Sequence, residues 1–145
     1  MGKAKDAAKT IFGIVDEASK IDTRDDKGVK EVKKGEIEFV NAEFRYPSRN
    51  QKVLNGMNLK IEATKKIALV GHSGCGKSTL ANLLLRLYDM TGGQLLIDGV
   101  DIRDYNVKAL RKQIGIVMQE PLLFNTSIKE NILYGNDQAD DKKVR

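Results

Sequence analysis

Nine consecutive residues, Gly71-His72-Ser73-Gly74-Cys75-Gly76-Lys77-Ser78-Thr79, constrain this chain more than any other stretch, because they match the phosphate-binding pattern G-x-x-x-x-G-K-[ST]. The flanks fit too. Residues 66–70, Lys-Ile-Ala-Leu-Val, read as a buried strand, and Leu80, Leu83, Leu84 and Leu87 recur at i, i+3, i+4 and i+7 on one helical face. Strand, loop and helix follow in the order of a phosphate-loop unit. Gly71, Gly74 and Gly76 let the backbone turn tightly and aim its N–H groups inward, where the positive end of the following helix reinforces an anion site. Gly71, Ser73, Gly74, Cys75, Gly76, Lys77, Ser78 and Thr79 are therefore the candidate contacts to a nucleoside triphosphate such as ATP, with the loop wrapping the β-phosphate. Lys77 adds a fixed cation for the β- and γ-phosphates, each charge-assisted bond being worth about 1.5–3 kcal/mol. The Ser78 hydroxyl is placed to ligate Mg²⁺.

The composition is that of a globular chain: 145 residues, 41% hydrophobic and 31% charged. The net charge of +5 is diffuse, since residues 1–34 carry nine basic and seven acidic side chains and residues 35–145 carry 16 and 13. No basic face marks a nucleic-acid partner. One cysteine forms no internal disulfide and agrees with a reducing, cytoplasmic compartment. The longest uncharged run, residues 67–76, is ten residues long and rich in glycine, so no membrane span is expected. Nor does an apolar run follow the lysine-rich start, as a signal peptide requires.

Helical spacing at Ala8, Ile11, Phe12, Val15 and Ala18 predicts a helix over residues 7–19, followed by a charged linker over 21–34. Residues 36–40 and 57–62 alternate polar and apolar side chains, which predicts a half-exposed antiparallel sheet ahead of the phosphate loop. Beyond the loop helix come a strand at residues 95–97, a turn at Asp98-Gly99, a helix over 107–112, a buried strand over 114–118 and an element over 127–134. The expectation is two sheets: an α/β core in which strands and helices alternate, and an N-terminal antiparallel β-subdomain.

Four segments then fall in a meaningful order: residues 44–49 (Phe-Arg-Tyr-Pro-Ser-Arg), the loop at 71–79, residues 87–89 with 96–99, and residues 116–124 (Ile-Val-Met-Gln-Glu-Pro-Leu-Leu-Phe). This order resembles the nucleotide-binding domain of ABC transporters, exporters of the P-glycoprotein or multidrug-resistance type. The likeness covers residues 35–136, and residues 4–22 resemble the connector that leaves the last membrane helix of such exporters. It implies a connector and linker over 1–34 and, over 35–145, the N-terminal part of a phosphate-loop NTPase fold of the ABC ATPase kind, truncated before its helical subdomain is complete. It implies Mg-ATP as ligand, a second nucleotide-binding domain and a membrane domain as partners, and a place at the cytosolic face of a membrane. By the same resemblance Tyr46 stacks on adenine, a contact worth about 1–3 kcal/mol. Gln119 is similar to the glutamine of the family's Q-loop, which ligates Mg²⁺ or orients the attacking water, and residues 120–126 lie where the family meets its membrane domain. Lys77 and Gln119 are the candidate catalytic residues; Ser78 and Gln119 are the candidate metal ligands.

Two stretches imitate missing parts. Thr91-Gly92-Gly93-Gln94 is similar to the family signature Leu-Ser-Gly-Gly-Gln, but it runs into an apolar strand instead of opening a helix. Asp98 ends an apolar strand as a Walker B aspartate does, but Gly99 follows it where the catalytic glutamate belongs. His72 and Cys75 have no partners at metal-ligand spacing, although Cys75 sits beside Lys77 near a helix N-terminus, surroundings that make a thiol reactive. The reading is an exporter fragment that recognises Mg-ATP and lacks signature, Walker B and catalytic glutamate. A non-catalytic binding or interaction fragment is the alternative, and a small phosphate-loop kinase a more distant one.

Overall fold

The alternation around Phe39 is realised as strand β1 (Ile37–Phe44), which pairs antiparallel on one side with β2 (Leu54–Ile61) and on the other with β3 (Gly92–Ile97). A short β4 (Val100–Asp101) completes one four-stranded sheet in the order β2-β1-β3-β4. The computed structural model describes residues 2–120 and 122–134, and the chain divides into two units, residues 1–114 and 115–145. The sheet lies in the first unit with helices α1 (Gly2–Val15), α2 (Lys77–Leu84) and α3 (Val107–Lys112). A single 3₁₀ turn, Ile102–Asp104, leads into α3.

Register places Phe39 between Leu59 and Leu95, and Ile37 between Ile61 and Ile97. The pairing slips between Phe39 and Ala42, where Asn41 takes a left-handed φ of 47°. This bulge makes Phe39, Ala42 and Phe44 all buried, which strict alternation would not allow. It also demands a glycine opposite: a Cβ on Gly93, itself at φ 74°, would lie 2.2 Å from the Asn41 carbonyl oxygen. Phe39, Ala42, Phe44, Leu95 and Ile97 form one apolar cluster with Leu80 and Leu83 of α2 and Leu110 of α3. The loop helix is therefore seated on the antiparallel sheet.

The two buried strands expected on either side of this arrangement are not strands. Residues 66–70 and 114–118 adopt no regular structure, and Val70 and Val117 are 93% and 98% exposed. A parallel strand takes both its ladder bonds and its burial from neighbouring strands. Among the described residues no strand pairs with either segment, so the expected second sheet is not formed. Residues 95–97, assigned from sequence to the α/β core, instead extend the antiparallel sheet as β3.

The first helix also ends earlier than its apolar spacing suggests, at Val15, with Ile11, Phe12, Ile14 and Val15 exposed. The expected linker, in turn, is docked. The Val29 N–H donates to the Asp104 carbonyl at 2.8 Å and the Asn106 N–H donates back to Val29 at 2.9 Å. The Asn106 amide reaches the Asp25 carbonyl, and Gln113 bonds both the Lys30 carbonyl and the Val32 N–H. Asp98 completes the attachment: its carboxylate accepts the N–H groups of Lys33, Lys34 and Glu36 at 2.8, 2.8 and 2.9 Å.

In the second unit, α4 (Ile128–Leu133) opens on a capping box in which Ser127 and Glu130 satisfy each other's backbone N–H. The Asn131 side chain both donates to and accepts from the Phe124 backbone, and the Phe124 and Tyr134 rings lie 4.3 Å apart.

Candidate functional site

The phosphate loop forms as its glycines require. Gly74 and Gly76 stand at φ 84° and 97°, in the left-handed region that other residues avoid, and Gly76 is the N-cap of α2. No side chain caps this helix and no acidic residue stands in its first turn, so its leading N–H groups remain directed at the loop. Gly76 is closed in from behind, because a Cβ there would lie 3.1 Å from Leu54 and 3.2 Å from Val53. The start of β2 thus sets how the loop enters its helix.

Lys77 reaches back over the loop. Its ammonium donates to the carbonyls of Gly71 at 2.7 Å and His72 at 2.8 Å, and lies 3.4 Å from the Cys75 sulfur. The Cys75 N–H closes the same turn onto the His72 carbonyl. The thiol in turn fills the space beside Gly71, where a Cβ would lie 2.5 Å from Sγ. Ser78 is exposed and Thr79 buried, so of the two hydroxyls that of Ser78 is open to a ligand. A helix N-terminus free of acids, a cation and an exposed hydroxyl together suit a magnesium-bound polyphosphate. No group of three or more His, Cys, Asp or Glu able to hold a metal occurs among the described residues. Magnesium commonly binds through one or two protein oxygens and the phosphates themselves, which fits a single Ser78 hydroxyl.

Tyr46 lies beside this loop, tied to its helix. The chain leaves β1 at Phe44 and turns at Pro47-Ser48, the Arg49 N–H donating to the Tyr46 carbonyl at 3.0 Å with proline at the second turn position. The half-buried Tyr46 ring stands edge-on to Phe44 at 4.8 Å and to Tyr88 at 5.1 Å. Its hydroxyl shares a 3.1 Å hydrogen bond with Thr79 and accepts another, at 3.2 Å, from the Asn82 amide. Sequence reasoning singled out Tyr46 and Thr79 separately and did not single out Asn82. The signal available was the i, i+3 spacing of Thr79 and Asn82, which puts both on one side of α2.

Gln119 is exposed in the second unit, at a bend following the irregular residues 114–118. Within the first unit, Gly71 to Thr79 and Tyr46 lie together. Asp98, set aside as a magnesium ligand on sequence grounds, is committed to the backbone of residues 33–36. Those N–H groups, Lys34's first among them, hold its carboxyl below the usual carboxylate range.

Comparison with known proteins shows the family. The ABC transporter family profile matches residues 54–145. The chain is 48% identical over 139 residues to multidrug resistance protein pgp-1 of Caenorhabditis elegans, a match covering 94% of this chain and 10% of the relative. It is 49% identical over 137 residues to ATP-binding cassette sub-family B member 5 of Homo sapiens, covering 93% of this chain and 11% of the relative. A solved bacterial Atm1-family ABC exporter with ATP bound superposes with a TM-score of 0.84 at 36% identity, over 94% of this chain and 24% of the exporter chain.

The chain belongs to the ABC transporter family, and its fold is that of the family's ATPase domain. Within the family it is related to the multidrug-resistance, P-glycoprotein type. It spans about a tenth of the length of the curated relatives it matches. No helix among the described residues is long and apolar enough to cross a membrane.

Proposed function

We propose that this chain is the N-terminal part of an exporter's nucleotide-binding domain, and that it binds Mg-ATP at residues 71–79 with Tyr46 under the base. The observation that carries the reading is the uncapped α2 N-terminus behind a left-handed Gly76, with the Lys77 ammonium held across the loop. Helix dipole, directed N–H groups and a cation all favour the same ligand, a compact polyanion. Ser78 would hold the magnesium that accompanies it, and Gln119 would join that site in the assembled domain.

In the whole exporter, ATP binding would clamp this domain against a second one at the cytosolic face of a membrane, and hydrolysis would release the pair and drive transport through the membrane domain. Within these 145 residues we assign binding without turnover. In-line attack on the γ-phosphate needs a positioned water and charge stabilisation around it. Asp98 is occupied with three backbone N–H groups, and Gly99 stands where a glutamate would be required.

The test is titration of the purified chain with Mg-ATP by calorimetry, alongside phosphate release. We expect saturable binding that Lys77→Ala weakens more than tenfold, and release no faster than in buffer. Equal ATP affinity in the variant overturns the loop assignment; turnover that disappears in the variant overturns the absence of catalysis.

A further inference from the structure

The geometry points to Asn82 as a positioning residue that sets the distance between the base platform and the phosphate loop, so that the site selects a nucleoside triphosphate over a bare polyphosphate. The inference rests on the reading above, in which Tyr46 carries the base.

A nucleotide touches the protein at two ends, and the covalent span between base and γ-phosphate leaves little tolerance in how far apart those ends sit. The phosphate end is the N-terminus of α2. The base end is a side chain two residues beyond a different element, β1, at the edge of an exposed stretch over residues 47–52. Nothing in the covalent chain near Tyr46 links it to α2. The link is made by side chains: Thr79 and Asn82, one turn apart on α2, both engage the Tyr46 hydroxyl. A phenol hydroxyl has one proton to give and lone pairs to receive. Asn82 supplies a proton to it and the Thr79 hydroxyl shares the remaining bond, so two partners on one helix hold the ring's tip.

The rest of the ring is fixed by Phe44 and Tyr88, each meeting it at a steep angle, 81° and 87°. Contacts of this kind pack the ring in place while the hydroxyl bonds resist its swinging about χ1. The Asn82 amide nitrogen is engaged with the Tyr46 hydroxyl at 3.2 Å. Asn82 is half-buried, below the solvent-exposed loop, and its role is to transmit the position of α2 to Tyr46. Holding a ring in its bound orientation before the ligand arrives raises affinity by removing an ordering cost, and here only a ligand with a base benefits.

The experiment compares ATP with inorganic tripolyphosphate, both with magnesium, by calorimetry on the full chain and on Asn82→Leu, Tyr46→Phe, the double variant and Tyr46→Ala. Leucine keeps the branched shape of the side chain and favours the helix more than asparagine does, and circular dichroism melting confirms that each variant is folded. Asn82→Leu should lower the ratio of ATP to tripolyphosphate affinity three- to tenfold while leaving tripolyphosphate affinity unchanged. Tyr46→Phe should lower the same ratio comparably, and adding Asn82→Leu to it should change nothing further, because the two share one bond. A ratio within twofold of the parent in Asn82→Leu, with Tyr46→Ala reducing it, overturns the inference and leaves base stacking standing. Equal loss of both ligands in Asn82→Leu assigns the residue to helix stability and also overturns it. An unchanged ratio in Tyr46→Ala removes base stacking itself, and failure of the parent chain to bind either ligand removes the phosphate-loop reading; the inference falls with each.

Discussion

The Cys75 sulfur fills the space that a side chain on Gly71 would need, so that the first glycine of the phosphate loop and its variable cysteine exclude one another's growth: a Cβ on Gly71 would lie 2.5 Å from Sγ and 3.6 Å from the Cys75 Cβ. The second distance is ordinary contact. Removing the sulfur therefore makes room for a methyl group. Gly71→Ala should weaken ATP at least fivefold by displacing the loop, and Gly71→Ala with Cys75→Ala should recover most of that affinity. Calorimetric titration of the two variants decides it; a double variant no better than Gly71→Ala alone shows that Gly71 is required for its backbone and not for space.

Asp98 fastens residues 33–36 to the β3–β4 turn through three backbone N–H groups. Bonds to a charged acceptor contribute about 1.5–3 kcal/mol, discounted here to about 1 kcal/mol because the carboxylate is open to solvent. Asp98→Asn should cost about that much stability and speed tryptic cleavage after Lys33 and Lys34. The folded carboxyl titrates below its unfolded value, so the contribution is complete above the unfolded pKa of about 3.9 and is lost as pH falls through the lower folded value. Denaturant melts from pH 7 down to 3 should show the parent's advantage over the variant shrinking only at the acid end. A difference that persists unchanged at pH 3 would refute the charge's part in it.

Leu83 is buried at the meeting of α2 with the sheet, in one cluster with Phe39, Phe44 and Leu95. Leu83→Ala should destabilise the chain by about 2–5 kcal/mol through lost transfer energy and the cavity left behind. Since α2 carries the loop at its other end, ATP affinity should fall in the same variant. Thermal melts with and without nucleotide report both effects. Unchanged melting would mean that α2 is not seated on the sheet.

Gln119 is exposed, and its proposed role is with the metal and not with the base or phosphates. Gln119→Ala should leave magnesium-free ATP binding intact and reduce the gain in affinity that magnesium brings. Overlaying magnesium titrations of parent and variant would take Gln119 out of the metal's surroundings.

The phosphate loop, the turn at Asp98-Gly99 and the helix at Val107–Lys112 were legible in the sequence because each depends on near neighbours. Glycines that tolerate positive φ, an N-cap asparagine whose side chain accepts the Ala109 N–H, and apolar residues at helical spacing act over a handful of positions. The strands expected at residues 66–70 and 114–118 were misread for the complementary reason. Their apolar runs record a preference for burial, but burial and ladder bonds must come from other strands, and none of the described residues supplies them.

The charged composition of residues 21–34 likewise suggested a free linker, while Asn106, Gln113 and Asp98, at sequence separations of 64 to 83, tie it down between residues 25 and 34. The sequence by itself determined the phosphate loop, its lysine and the helix behind it, since their chemistry is carried by residues within nine positions of one another. Only the tertiary structure decided that Tyr46, 33 and 36 residues away from Thr79 and Asn82, would be bound to that helix through its hydroxyl. A hydrogen bond is set by where the sheet and α2 bring their side chains once the core between them has closed, and no local pattern of residues encodes that meeting.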